Sequence, residues 1–324
     1  MNKKKTLILI IAFVVIGSVV GFFLNSYIET LVITFLITAM AGMGLNFITG
    51  VANQFSLGIA GFMALGAYTS AVLSKLVFND QWYFVPITIL AGGLVAAVAG
   101  YLVSLPSFRL KGDYLAIVTL GFAEIVRVML LNWNFVGGPR GYNFIVKWPN
   151  FLAAYSITGL FLMITFFVLY HLKISWFGRN LWALNEDEIA AEVMGTPVAN
   201  SKRLAFMISS LFSGIAGGFY AHHMGYISPG SFGFIMSVQI LIIAVLGGLG
   251  SLSGSIVAAA VLTALPELLR SLPTGDTDIR MIVFPILLIS LMIWKPSGLF
   301  GREEIWRVDW SKIKKLVSKK GVSS

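Results

Sequence analysis

Hydrophobic residues run along this chain in long blocks separated by short polar intervals. Ten mainly apolar blocks occupy positions 6–24, 28–49, 56–76, 84–104, 114–132, 153–172, 204–224, 235–251, 253–270 and 281–298. A helix needs about 20 apolar residues to cross a hydrocarbon core about 30 Å thick, so the blocks predict an all-α polytopic membrane protein of about ten spans. Two stretches are interrupted. Gly50–Tyr68 contains Asn53, Gln54, Ser56 and Gly58, and Leu246–Leu262 contains the glycine- and serine-rich run from Gly247 to Gly254. If both are re-entrant, the count falls to eight. Non-helical backbone at membrane depth is tolerated only where protein or a water-filled cavity surrounds it, which makes such breaks pathway candidates in a transporter. The competing reading is close helix packing through small residues, such as Gly214 with Gly218 or Gly250 with Gly254. The sequence Gly-Ile-Ala-Gly at 58–61 returns at 214–217, a short echo of an internal repeat.

The longest polar interval between blocks runs from Lys173 to Arg203. Asn185 is a good N-cap there, and Glu188 three residues later can reach back to complete a capping box. Glu186, Asp187 and Glu188 favour a helix start, and Gly195 followed by Pro197 is a strong stop. The spacing predicts a helix of about three turns at most. Ile189 and Val193 form an apolar edge, Glu188 and Glu192 an acidic one, and Ala190 and Ala191 leave a low surface between them. A helix this short needs a partner to be stable, so the interval reads as a loop carrying a docking helix. Its plain alternative is a solvated helix that merely joins two spans.

Composition agrees with a membrane protein, because 57% of residues are hydrophobic and only 11% are charged, against about 25% charged in soluble domains. The chain has no cysteine, which excludes disulfides, zinc-thiolate sites and cysteine nucleophiles. A net charge of +9 taken alone would suggest a nucleic acid partner, but its placement argues for orientation signals instead. With the N-terminus inside, ten spans put Lys3, Lys4, Lys5, Arg109, Lys111, Lys173, Arg179, Lys202, Arg203 and the eight basic residues from Lys295 onward in the cytoplasm. Only Lys75, Arg140, Lys147, Arg270 and Arg280 fall outside. Both termini are therefore expected to be cytoplasmic. The first block could be a signal peptide, but it is long for one and lacks a clear cleavage site, which favours a retained span. Past the last block, Trp306, Trp310, Ile313 and Val317 share a helical stripe among basic residues. The expected organisation is one membrane domain over 1–300, with its coupling loop at 173–203, and a basic amphipathic tail over 301–324 lying on the inner leaflet of the bilayer.

No constellation supports an enzyme. His171, His222 and His223 lack a metal-binding spacing with a carboxylate, and His222 and His223 read as an outer-loop feature. No Gly-Lys pair occurs anywhere, so a phosphate-cradling loop with its lysine is absent. If ATP drives this protein, another subunit hydrolyses it. Within the blocks, Glu124 and Arg127 stand out, since each costs roughly 2.5–3.5 kcal/mol at a helix centre and must face protein or water. Their spacing of three lets them pair, either as a neutral packing element or as a contact for a zwitterionic solute. Asn46, Asn53, Gln54, Ser56 and Gln239 are the other polar candidates for the pathway, or else for interhelical hydrogen bonding.

Several motifs in order carry a family resemblance over about 46–301. They are Gly44–Gly58 with Gly66-Ala67-Tyr68, Arg109–Gly121, Gly137–Gly141, the pair Ala190-Ala191 followed by Gly195, Ile227–Phe232, Leu246–Gly254 and Lys295–Gly301. Together they resemble LivM-type permease subunits of branched-chain amino acid ABC transporters. The alanine pair and glycine resemble the loop by which such permeases dock on their ATPases, with Ile189 standing where a glutamate is usual. The resemblance implies a LivH-like permease partner, two ABC ATPase subunits that use ATP and magnesium, and an extracytoplasmic solute-binding protein. No cofactor is implied for this chain itself. The docking helix would involve Glu188, Ile189, Ala190, Ala191, Glu192 and Gly195. The location implied is a bacterial-type inner or plasma membrane. Solutes of relatives include other amino acids, amides and urea, so a urea, amide or sugar permease stays open. Composition alone also admits an ion-coupled secondary transporter, against which the docking loop argues. A membrane enzyme or assembly factor would need clustered carboxylates or histidines near one interface.

Overall fold

The computed structural model describes residues 25–77, 81–107, 112–143, 146, 148–270 and 298–305. Its helices are α1 (Ser26–Asn46), α2 (Ile59–Leu76), α3 (Val85–Ser107), α4 (Asp113–Asn132), α5 (Phe151–Ile174), α6 (Trp176–Glu186), α7 (Glu188–Val193), α8 (Val198–Met224), α9 (Phe234–Gly247) and α10 (Leu252–Arg270). A π-helical turn, Phe47–Val51, extends α1. Short strands β1 (Tyr142–Asn143) and β2 (Tyr226–Ile227) pair antiparallel at one end of the bundle. Among the described residues, α1 with its extension, α2, α3, α4, α5 and α8 are long and apolar enough to cross a membrane, and α9 and α10 are shorter. Eight of the ten hydrophobic blocks are thus helices in an all-α polytopic membrane protein. The block at 6–24 lies outside the described residues, as do the block at 281–298 apart from Gly298 and the amphipathic stripe beyond Ile305.

Helix α8 runs through the centre, packed against α1, α2 and α3. Lipid gives helices little hydrophobic reason to associate, so attraction comes from close backbone approach and polar contacts. Glycine supplies the approach here. A Cβ on Gly66 would run into the carbonyl of Gly214, one on Gly92 into that of Gly66, and one on Gly217 into that of Met63. The echoed Gly-Ile-Ala-Gly stretches therefore provide two contact faces, because Gly61 also lies against Ala123 of α4. Larger side chains fill the remaining space: Phe206 meets Phe62 edge-on at 5.7 Å, and Phe219 meets Phe161 at 5.0 Å. Ser209 Oγ donates to the Gly44 carbonyl at 2.7 Å and ties α8 to α1.

The glycine-rich run closes a hairpin. Helix α9 has 14 residues, which gives a rise of about 21 Å and falls short of a full span. The turn to α10 places Gly248 at φ +107° and Gly250 at +94°, values that only glycine adopts without strain. Asn46, wholly buried at the end of α1, fills this turn. Its Nδ2 donates to the carbonyls of Gly248 at 2.9 Å and Ser251 at 3.0 Å and to Ser255 Oγ at 2.6 Å, while its Oδ1 accepts from Gly250 N at 2.6 Å. A second clamp comes from residues 298–305. Leu299 and Phe300 donate to the carbonyls of Leu246 and Gly247, at 2.8 and 3.3 Å. Buried Glu304 accepts from Ser253 N at 2.9 Å and from Lys173 Nζ at 2.6 Å, so it caps α10 and pins α5 to it. Lys173 also donates to the Gly250 carbonyl at 2.5 Å. Burial alone raises the Glu304 carboxyl, but the Lys173 charge and the hydrogen bonds from Lys173 and Ser253 outweigh it and hold the group below its ordinary value.

These contacts set the expected stability of variants in detergent. Replacing Gly66 or Gly217 by Ala forces helices apart and lowers stability by about 1–3 kcal/mol, read as a drop in thermal midpoint, whereas Gly121→Ala, where a Cβ meets nothing, stays within about 0.5 kcal/mol of the parent. Asn46→Leu keeps the volume but strands the turn's polar groups, at a cost of about 2–3 kcal/mol. Because the Glu304 carboxyl is depressed in the folded state, its contribution is complete above the ordinary value of 4.5 and is lost as pH falls through the folded value. Unfolding scans should therefore separate parent from Glu304→Gln at neutral pH and bring them together progressively below about pH 4.5.

Candidate functional site

The loop between α5 and α8 folds as two helices. Ser175 caps the first, its Oγ accepting from Gly178 N at 3.3 Å. Phe177, Leu181 and Leu184 repeat at helical spacing down α6, and Leu181 and Leu184 are buried against the bundle. That stripe was visible in the sequence, yet the polar residues around it made the segment read as loop. Asn185 consequently lies inside α6 and does not cap α7; its Nδ2 donates to the Gly50 carbonyl at 3.1 Å. The cap of α7 is Asp187, whose Oδ1 accepts from Ile189 N at 2.9 Å and Ala190 N at 3.1 Å. Two good capping residues stand two apart, and the one the structure uses is the one that lets α6 run on. Gly195 ends α7 at φ +83°, and Thr196 N closes back on the Ala191 carbonyl at 3.0 Å.

Only Ala191 of α7 is buried, while Ile189, Val193 and Met194 are 73, 82 and 84% exposed. Ala190 and Glu192 are also open to solvent. Glu188 is held instead by the buried Lys202 of α8 at 2.9 Å. Three further contacts brace this corner. The Trp182 ring lies against Gly250 of the hairpin turn, Arg302 sits 5.5 Å over that ring, and Arg302 pairs with Glu186 at 2.6 Å. The result is a short helix with an open apolar edge, mounted through α6 and its own contacts on a span, the hairpin tip and the end of α1.

A cavity of about 600 Å³ opens between α1, α4, the end of α8 and the start of α9. It brings together three sequence candidates, Glu124, Arg127 and Gln239. Glu124 and Arg127 fall past the middle of α4 and pair through Oε2 and Nε at 2.7 Å, with side chains 38 and 32% exposed. Sequence reasoning missed Thr34, Thr38 and Ser231, which add hydroxyls to the wall. Thr34 and Thr38 carried a signal, since they stand four apart within the mainly apolar run 31–45. Ile37, Phe234, Ile235 and Met236 supply the apolar part.

The remaining candidates lie elsewhere. Asn46 is committed to the hairpin turn. Asn53, Gln54 and Ser56 belong to the irregular stretch between the π-turn and α2, and they do not line that cavity. Asn53 has φ +52°, and the buried Gln54 Oε1 has no hydrogen-bond partner among the described residues. The orphan donors where α2 begins are met by neighbouring helices: Leu57 N donates to Thr119 Oγ1 at 3.0 Å and Ala60 N to Ser237 Oγ at 3.2 Å. His222 and His223 do not lie in a loop but in the last turn of α8, with His222 Nε2 2.9 Å from Ser70 Oγ.

Comparison with known proteins gives a consistent result. The family described as "Branched-chain amino acid transport system / permease component" matches residues 27–292. The high-affinity branched-chain amino acid transport system permease protein LivM of Escherichia coli K12 is 38% identical over 295 residues, covering 82% of this chain and 68% of the relative. The permease protein LivH of Salmonella typhimurium is 24% identical over 289 residues, covering 83% and 93%. A probable LivM of Methanocaldococcus jannaschii is 25% identical over 274 residues, covering 76% and 78%. No solved structure matches significantly. With its apolar spans and these matches, the chain is a multi-pass membrane protein and belongs to the family of branched-chain amino acid transport permease components.

Proposed function

We propose that this chain is the membrane-spanning permease subunit of an ATP-driven importer for branched-chain or related amino acids. It works beside a LivH-like second permease, above two ATPase subunits and below an extracytoplasmic solute-binding protein. The loop bearing α6 and α7 faces the cytoplasm in this reading, as do both termini. ATP and magnesium are used by the ATPase subunits and not by this chain. The solute crosses without chemical change, so the work of the chain is to convert movement of the ATPases into alternate opening of a path.

The observation that carries the reading is the open edge of α7. An isolated helix of six residues is far below the length that is stable alone in water, and this one leaves Ile189, Val193 and Met194 uncovered. The Asp187 cap, the buried Ala191 and Lys202 hold α7, and a partner on the open edge would bury the apolar side chains that these contacts leave uncovered. Push or pull on α7 passes through Glu188 and Lys202 into α8, and through α6 into the hairpin turn. Helix α8 carries Tyr220 into the cavity wall, so the same rod that receives the force ends at the space where a solute can sit.

Affinity purification of the tagged chain in mild detergent tests this. The parent should bring down both ATPase subunits, and Ile189→Glu with Val193→Glu should reduce that recovery at least about tenfold, the effect of about 1.4 kcal/mol or more at the contact. Both positions are exposed, so the variant should keep the thermal midpoint of the parent. Equal recovery of the ATPases with parent and variant would remove α7 from the docking contact, and absence of ATPases from both would end the reading.

A further inference from the structure

Resting on the transport reading above, we propose that the cavity around Glu124 and Arg127 is a holding station for a zwitterionic, apolar amino acid, and that the Glu124–Arg127 ion pair opens to take its two charges. The pair is placed where a purely structural pair would be poorly made. It is joined by a single bond, Nε to Oε2, on adjacent turns of one helix; about a third of each side chain is exposed, and both residues line the cavity. The guanidinium Nη atoms and Glu124 Oε1 make no other hydrogen bond among the described residues. Unused donors and acceptors of a charged pair at membrane depth are costly unless water or a solute meets them.

An α-amino acid presents a carboxylate and an ammonium on one carbon. Arg127 can receive the carboxylate through its planar fork, and Glu124 can accept from the ammonium. The hydroxyls of Thr34, Thr38 and Ser231 and the Gln239 amide line the same cavity from other elements and offer groups for the remaining valences, and Ile37 and Met236 add apolar surface for an aliphatic side chain. The cavity has the mix that marks small-molecule sites, a mostly apolar lining with a few convergent polar groups. Charge arithmetic favours the exchange. The pair is neutral, the zwitterion is neutral, and the four-charge cluster is neutral, so no net charge enters the low-dielectric interior at any stage. The bond between Glu124 and Arg127 also re-forms as the solute leaves. That internal competition keeps the station weak, as a path requires, because a site on a path must release what it binds. Urea and sugars carry neither charge, so they offer each member of the pair only the hydrogen bonds of a neutral partner in return for opening.

The test uses the whole transporter, this chain with its partner subunits and binding protein, in liposomes. Two variants are compared with the parent: Glu124→Gln with Arg127→Gln, and the exchange Glu124→Arg with Arg127→Glu. Assembly is read by co-purification and transport by ATP-dependent uptake of labelled leucine. Both variants should assemble, and both should lose uptake at least about tenfold, the loss of one or more charge-assisted hydrogen bonds. Uptake near the parental rate in the neutral variant overturns the station while leaving the importer intact. Recovery of uptake in the exchanged variant does the same, because it shows that any ion pair suffices. A parent that imports no branched-chain amino acid overturns the functional reading itself and the station with it. Binding to the parent complex in detergent, without the binding protein, decides the matter even if the variants fail to assemble. Norvaline should displace labelled leucine there, and leucinamide, which lacks the carboxylate, and isocaproate, which lacks the ammonium, should be at least about tenfold weaker. Equal displacement by all three overturns the proposal.

Discussion

Backbone groups that a helix does not pair have no water to turn to inside a bilayer, and the packing of this protein is arranged around meeting that demand at one place. The turn between α9 and α10 exposes the carbonyls of Gly248, Gly250 and Ser251 and the amide of Gly250. Asn46 answers most of them from the end of α1, and Lys173 answers the rest from the end of α5. An asparagine suits the position because one flat amide offers donors on one side and an acceptor on the other. Removing the turn's partners would leave several buried polar groups unmet at once. Everything that gathers at this end then shares the fixed point: the π-turn after α1, the ring of Trp182, and residues 298–305 with Glu304 across the start of α10.

The same end explains how the loop helices are held. Helix α6 is bound to the turn by Trp182 and to Gly50 by Asn185, and its partner Arg302 belongs to the segment that also carries Glu304. A loop of polar residues between two spans has no reason to hold a shape by itself. Here its apolar stripe is buried on the bundle, and the exposed α7 is delivered at a fixed angle from that platform. Presentation of Ile189, Val193 and Met194 is therefore a property of the whole corner and not of the six-residue helix.

Much of the fold was legible because hydrophobic length is a strong signal. Eight blocks read from the sequence coincide with helices, and the interruptions at 52–58 and 248–251 lie where Asn53 and the glycine run suggested. The use of each polar group could not be read in the same way. Asn46 and Gln239 looked alike as polar residues in apolar surroundings, yet Asn46 is spent on the hairpin turn and Gln239 faces a cavity. That difference depends on a partner some 200 residues away in sequence, which periodicity does not encode. The displaced cap has a nearer cause: Asn185 and Asp187 both satisfy the capping rule, and only the burial of Leu181 and Leu184 decides between them. Gly66 and Gly214 show the opposite case, where the small residue was visible and only its opposite number was missing.

In the proposed importer, the corner and the cavity are two ends of one lever. Helix α8 has 27 residues, a rod of about 40 Å, with Lys202 near one end and Tyr220 near the other. At Gly214 and Gly217 it presses directly on the backbones of α3 and α2, so at these contacts no flexible side chain absorbs a displacement. A helix packed in this way moves with its neighbours as a body, by hinge or shear, and does not bend locally. In that reading, force applied at the Glu188–Lys202 contact reaches the cavity as a change in the distance from Tyr220 of α8 to the Glu124–Arg127 pair on α4. The hairpin of α9 and α10 meets the same cavity through Phe234 and Gln239 while its tip is held at the loop end by Asn46. On the proposed reading, two elements join the docking helix to the solute space, one driven through α8 and one through the turn, and their relative motion would open or close the path.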